Sequence, residues 1–343
     1  MNVVEYVEKY GDYSFKEKVF NEIDNLVFSE LVYLNFDESD NTIENIGKNY
    51  LKKNRYKNIK KLGPAQETAY RVLEKAINKK RYKDIVMKDY VFKHNINCQF
   101  SAATFIIDNN LNYIAFEGTD ELISGWKEDF LMASYFPIPS HIEAHDYLDK
   151  HIKLIGPDII VGGHSKGGNL ALVGSMYLKL SKQVKIRKIY SNDGPGLRKK
   201  ELKTFRYKLI KNKYTHFVAD HTIVGILLRD EKHKYIKTTK RNVFAHDIGT
   251  WIIKENELEE TNLSNSSLRI QNNLINWLDS HTYYERYTMV NDIFQVLEDN
   301  KINTIYDIVK LNNLIKVIKG LKSIDKQSKD LAINLLKAIF KKA

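Results

Sequence analysis

The chain has 343 residues, of which 43% are hydrophobic and 28% charged. That is enough to build one large core or two smaller ones, and it excludes a wholly disordered chain, a peptide and a solenoid. A single cysteine, Cys98, excludes an internal disulfide, a zinc ribbon and thiol-pair redox chemistry, and no run of 18 apolar residues occurs. The start, MNVVEYVEKYGDYSF, lacks the basic stretch and apolar core of a signal peptide, so a soluble, cytoplasmic protein is expected. The formal net charge is +11, and residues 301–343 supply +7 of it, with ten lysines against Asp307, Asp325 and Asp330. A second basic cluster comprises Lys52, Lys53, Arg55, Lys57, Lys60 and Lys61. Lysines of this kind are expected on solvated faces, with at most a weak, salt-screened contact to anionic membrane or nucleic acid.

In chain order, residues 1–95 read as a helical N-terminal layer: Phe20, Ile23, Leu26, Val27 and Leu31 fall near helical spacing, as does Ala69 to Lys80. From Cys98 the period changes to about two. CQFSAATFII, a turn at Asp108-Asn109-Asn110 and LNYIAFEGT predict a β-hairpin. Helical and strand-like runs then alternate: a helix across Leu122–Met132, another across Ile142–Ile155, the strand DIIVGG, a helix after Ser165, the strand RKIYSN, a helix after Pro195 and the strand HFVAD. The alternation predicts an α/β core over residues 96–255, with a mainly parallel sheet covered by helices. Residues 256–267, ENELEETNLSNS, read as an acidic linker. Beyond it, helices at 268–278, 289–297, 305–321 and 331–340 predict a C-terminal helical appendage over residues 268–343.

The sharpest motif is Gly163-His164-Ser165-Lys166-Gly167-Gly168-Asn169, entered by an apolar strand and followed by a helix-forming run. This is G-x-S-x-G in the context where a serine projects from a tight strand-to-helix turn, with glycines where neighbouring backbone comes close. A P-loop is disfavoured because no Gly-Lys-Ser/Thr occurs at the required offset. Serine needs a base, and among the downstream histidines His246, in KRNVFAHDIGTW, follows the last expected strand and could reach Ser165 from a loop. His216 reads as a strand packing residue, His221 and His233 lie near strand ends, and His281 falls in the appended helices. Two aspartates compete for the acid: Asp193 in YSNDGPG and Asp220 in HFVADHT, each also a candidate cap or turn residue. The oxyanion hole would combine the main-chain N–H of Lys166 with that of Thr119 or Asp120, in the FEGTD loop that ends an apolar strand.

FEGT, then GWKEDF with Trp126 and Asp129, then GGHSKGGNLA resembles, in that order, the F-R-G-T, W-x-x-D and G-H-S-x-G-G motifs of class 3 lipases. The chain more closely resembles the Mbeg-like family of bacterial α/β-hydrolases, through YGDYSF, FNEIDNLVFSELVYL, IYSNDGPG, TIVGILL and HDIGTW, over about residues 9–255. The resemblance implies an α/β-hydrolase fold with Ser165 as nucleophile and His246 as base. Two departures stand out: Glu117 replaces the lipase arginine, and Thr222 stands where class 3 lipases carry their catalytic aspartate. The expected activity is hydrolysis of a small-molecule or lipid carboxylic ester, without metal or organic cofactor. An acyltransferase or amidase would use the same residues, and a non-catalytic binding module using the basic tail is the alternative outside enzymes.

Overall fold

The computed structural model describes residues 1–340 apart from 38, 56–58, 60, 61, 96, 97, 121 and 309. Helices α1 (Val3–Tyr10), α2 (Glu22–Leu31), α3 (Ile43–Asn54) and α4 (Pro64–Ala76) come first, with the two-residue strand β1 (Asn41–Thr42) before α3. Strands β2 (Val86–Asn95), β3 (Cys98–Asp108) and β4 (Leu111–Phe116) lead to α5 (Ile123–Leu131) and α6 (Pro139–His151). Next come β5 (Asp158–His164), α7 (Lys166–Tyr177), α8 (Leu180–Gln183), β6 (Ile186–Asn192), α9 (Lys199–Leu202), α10 (Phe205–Ile210), β7 (Tyr214–Ala219) and β8 (His233–Ile236). Two 3₁₀ turns, Asn242–His246 and Ile248–Thr250, precede the short strands β9 (Ile253–Lys254), β10 (Glu257–Leu258) and β11 (Glu260–Thr261). Helices α11 (Asn265–Ser280), α12 (Tyr283–Asp299), α13 (Ile305–Ile308), α14 (Leu311–Ser323) and α15 (Lys326–Phe340) complete the described chain.

Among the described residues, nine strands form one sheet in the order β1-β2-β3-β4-β5-β6-β7-β8-β11. The β1 to β4 pairs are antiparallel, β4 through β8 run parallel, and β11 closes the far edge antiparallel to β8. The result is the α/β architecture expected, with a mainly parallel centre covered by helices on both faces. Strand β5 is apolar without alternation because both of its faces are covered. Helices α1, α2 and α4 pack on one face around Phe28, Phe105 and Tyr113, and α6, α7 and α10 on the other around Val161, Leu170 and Tyr207.

The sheet begins earlier than the sequence pattern predicts: Val86–Asn95 is a strand paired with β3, so the division expected at residue 95 falls between two bonded strands. The period-two pattern is hidden there by a bulge between Lys88 and Val91, where Asp89 has φ 55°, and by charged residues on the open side. The acidic segment 256–267 is not a plain linker either. Its residues form β10 and β11, and β11 extends the sheet edge. The helix expected over 305–321 is divided into α13 and α14, and the one expected from Leu331 starts at Lys326. Of the basic cluster, Lys57, Lys60 and Lys61 lie outside the described residues.

Helix α2 is buried on every side, from Ile23 to Leu31, although it contains Asp24, Asn25, Ser29 and Glu30. Such polar groups are tolerated inside only when partnered. Asn25 Nδ2 donates to Asn192 Oδ1 (2.8 Å), Tyr113 Oη donates to Asn25 Oδ1 (2.7 Å), and Asn192 Nδ2 donates to Ser29 Oγ (3.0 Å). This network ties α2 to β4 and β6 directly beneath the strand that carries Ser165. The C-terminal helices form their own core around Trp277, Met289 and Phe294, which meets α5 through Ile123 and Trp126. Lys127 and Glu298 pair at 2.8 Å across that contact.

Candidate active site

Ser165 sits between β5 and α7 with φ 57° and ψ −132°, a conformation that is costly for a residue with a side chain and is held by its surroundings. A Cβ on Gly163 would lie 2.4 Å from Gly167 C, and one on Gly167 would lie 2.1 Å from Phe116 O. The end of β4, the turn and the first residues of α7 therefore meet too closely for any side chain at either position. Lys166 opens α7, and in its first turn Gly168 N donates back to Ser165 O (3.0 Å), whereas the N–H of the first helical residue has no acceptor within the helix.

His246 ends the first 3₁₀ turn, and its Nδ1 lies 2.6 Å from Asp193 Oδ2. Asp193 follows β6, is fully buried and has φ 52°. Its carboxylate also accepts from Ala219 N (2.9 Å) and Thr222 Oγ1 (2.6 Å). Asp220 lies elsewhere. It accepts from Thr238 Oγ1 (2.7 Å) and has His221 Nε2 at 3.8 Å, so of the two sequence candidates only Asp193 is brought to His246. Among the described residues no hydrogen bond joins Ser165 Oγ to the His246 ring, but both side chains line one cavity. Apo sites often leave this bond unformed until substrate binds. Burial lowers the pKa of His246 from its ordinary value and the nearby His164 lowers it further, while the bond to Asp193 opposes both.

The FEGTD loop adjoins the serine: a Cβ on Gly118 would lie 2.9 Å from Ser165 Cβ. The loop is held at several points. Thr119 Oγ1 donates to Asp129 Oδ2 (2.6 Å), Trp126 Nε1 donates to Asp120 O (3.0 Å), and the Asp120 carboxylate accepts from Leu122 N (2.7 Å). Burial pushes the Asp129 carboxyl up to about 6 despite Lys166 and Thr119. His94 lies between Glu117 and Asp120, with a ring nitrogen 3.2 Å from each carboxylate. Burial opposes charge on that ring, but the bonds to Asp120 and Glu117 outweigh it and raise its pKa to about 9. Glu117, the departure from the lipase motif, thus has His94 as its partner, which opposes the burial that raises the Glu117 carboxyl.

Several supporting residues escaped the sequence reading. His164 Nε2 donates to the His246 carbonyl oxygen (2.9 Å), and its Nδ1 lies 3.0 Å from the buried Glu30. Lys166 extends its side chain into the interior, where Nζ donates to Gln99 O (3.1 Å) and lies 3.3 Å from Glu128 Oε2. A carboxylate inside an otherwise apolar helix, as in FSELVYL, was the available clue to Glu30. The other histidines have local partners: His216 pairs with Asp230, and His281 Nδ1 lies 2.7 Å from Trp277 O.

The cavity in front of Ser165 has a volume of about 290 Å³. Its walls are mainly apolar, with Trp126 and Phe130 from α5, Leu274 and Trp277 from α11, Val290 from α12 and Leu335 from α15. Among the described residues no group of three His, Cys, Asp or Glu side chains could hold a metal ion, and no helix is long and apolar enough to cross a membrane. What the arrangement offers is a hydroxyl on a strained turn, an imidazole hydrogen-bonded to a buried carboxylate, and the N-terminus of α7, all at an apolar chamber.

No curated protein is detectably similar to this chain. Among solved structures, the crystal structure of M37 lipase is similar at 17% sequence identity and a TM-score of 0.36, covering 60% of this chain and 70% of that one. The family model described as Mbeg1-like matches residues 76–295, well over half the chain, and the protein belongs to that family.

Proposed function

We propose that this protein is a serine hydrolase that cleaves carboxylic esters through an acyl-enzyme on Ser165. The observation that carries the reading is the 2.6 Å contact between His246 Nδ1 and Asp193, at the same cavity as a serine on a strand-to-helix turn. His246 Nε2 takes the Ser165 proton as Oγ attacks the ester carbonyl. The resulting oxyanion is received by the Lys166 N–H and the Thr119 or Asp120 N–H. Collapse of the tetrahedral intermediate breaks the carbon–oxygen bond, and His246 returns its proton to the leaving alkoxide. Water, deprotonated by His246, then releases the acid. Asp193 orients the ring and stabilises its protonated form, and Asp220 takes no part.

A cytoplasmic location belongs to the same proposal, as does a weak, salt-screened attraction of the C-terminal lysines for anionic membrane or nucleic acid. It is supported by the exposed positions of Lys316, Lys319, Lys326 and Lys337. The test of the activity is labelling with a fluorophosphonate probe and assay on an ester panel. Wild-type protein is expected to be labelled at Ser165, and Ser165→Ala to lose both labelling and turnover, by a factor on the order of 10⁴–10⁶. Equal ester hydrolysis by the two proteins rules the reading out.

A further inference from the structure

We propose that Arg286 reads a negative charge on the substrate, so that the preferred ester is an amphiphile with an acyl chain and an acidic group, a carboxylate or a phosphate, on the same molecule. The inference rests on the hydrolase reading and names the substrate class of that site. Arg286 stands in the first turn of α12, is only 4% exposed and lines the cavity that Ser165 and His246 share. One edge of its guanidinium is occupied: Nη1 donates to the carbonyls of Leu278 and His281, which close the turn between α11 and α12. The plane rests on the Tyr283 ring, 4.7 Å from its centroid. The Nε donor has no hydrogen-bond partner, and neither has Nε1 of Trp277, another side chain of the same cavity wall.

The charge itself is also unmatched. Arg198 pairs with Glu201 at 2.6 Å and Arg229 with Asp279 at 2.7 Å, but among the described residues no carboxylate lies within 4.0 Å of Arg286. A guanidinium cannot shed its proton at ordinary pH, so this cation remains buried without a direct ion-pair partner in a mostly apolar chamber. Burial disfavours the charge, Arg198 and Arg229 repel it, and Asp279, already paired with Arg229, offsets them only from a distance. The two carbonyls and the Tyr283 ring account for Nη1 and for the plane of the guanidinium but leave its charge without a carboxylate, and an incoming anion supplies that missing partner in a site of low dielectric. The lysine-rich outer surface is a separate matter, since those side chains are solvated.

The test compares hydrolysis of three esters with the same acyl chain: a neutral monoacylglycerol, an acylated hydroxy acid and an acylglycerol phosphate. Wild-type protein is expected to favour at least one acidic ester over the neutral one by about tenfold or more in kcat/KM, and Arg286→Met to lose that ratio while Arg286→Lys keeps part of it. A purely structural clamp would lower all three substrates together and leave the ratio unchanged, which would overturn the proposal. The two acidic arms tell carboxylate from phosphate recognition. A second measurement does not depend on turnover: thermal shift of Ser165→Ala with decyl phosphate, decanoate or decanol. The anions are expected to raise the melting temperature more than decanol, and the difference to vanish in Ser165→Ala/Arg286→Met. Should no ester be cleaved while this shift appears, the hydrolase reading fails and the anion site stands. Equal anion binding with and without Arg286 removes the site.

Discussion

Asp193 gathers three donors on one carboxylate: His246 Nδ1, Thr222 Oγ1 and Ala219 N. Thr222 occupies the place where the lipase pattern has its aspartate, and here its hydroxyl donates to Asp193, the acid in the proposed function, at the end of the preceding strand. The sequence left that choice open: IYSNDGPG carries the family resemblance, but Asp220 also follows a strand, and only the fold shows which of the two lies at His246. The serine turn was legible, since its glycines answer to a steric demand that few other arrangements impose. Asp193→Asn is expected to lower kcat on the order of 10⁴-fold by releasing the imidazole from its orientation, while Asp220→Asn stays within a few-fold. Comparable losses in both, with both folded, would contradict the assignment. The pH profile gives a second reading of the same contact. Burial and the neighbouring His164 lower the His246 pKa, so the base is already neutral in mildly acidic solution and the acid limb of kcat/KM should have its midpoint below 6.5. Because Asp193 raises that pKa, its loss should move the residual limb to still lower pH, and a move upward would count against the pairing.

At the scale of elements, α2 carries more of the site than a covering helix would. Its Asn21 cap accepts from Ile23 N and Asp24 N, while the Asp24 carboxylate accepts back from Asn21 N. Asp24 is then clamped by Arg81, Nε to Oδ1 at 2.7 Å and Nη2 to Oδ2 at 2.6 Å, with Tyr82 Oη donating to Oδ1 at 2.8 Å. Arg81 also donates to the carbonyls of Lys18 and Val19, which fixes the segment leading into the helix. Helical spacing in FNEIDNLVFSELVYL correctly marks a helix, but spacing cannot tell a helix with one covered face from one enclosed on all sides. The buried Asp, Asn, Ser and Glu carried that information, and it becomes readable only when their partners are known: Arg81 and Tyr82 for Asp24, and residues of β4, β5 and β6 for the others. Arg81→Met is expected to cost about 3–5 kcal/mol, since it leaves the Asp24 carboxylate buried without its cation, and Arg81→Met/Asp24→Asn to recover part of the loss. Urea unfolding measures both. A loss below about 1 kcal/mol for Arg81→Met would mean that the pair does not anchor α2.

At the scale of the whole molecule, the candidate site belongs to neither the sheet nor the C-terminal helices alone. The reactive groups sit on turns after β5 and β6 and on the 3₁₀ turn beyond β8, whereas much of the apolar wall comes from α5, α11, α12 and α15. The amphipathic spacing of the last eighty residues predicts helices, but nothing in that pattern says that one face would close over the serine. For the proposed ester hydrolysis, a mainly apolar wall makes acyl-chain length the variable to test. Each methylene withdrawn from water contributes about 0.8 kcal/mol, so kcat/KM should rise about fourfold per added carbon until the chamber is filled. Ala133, a half-buried residue just after α5 that lines the chamber, offers a way to shorten it. In Ala133→Phe the added ring takes up space that the distal part of a long chain would use, while the reactive turn is untouched. A series of p-nitrophenyl esters should therefore show the rise stopping at a shorter acyl length in Ala133→Phe than in wild type, with acetate and butyrate changed by no more than about threefold. An unchanged length profile would mean that the acyl chain runs elsewhere, and that the C-terminal helices do not measure it.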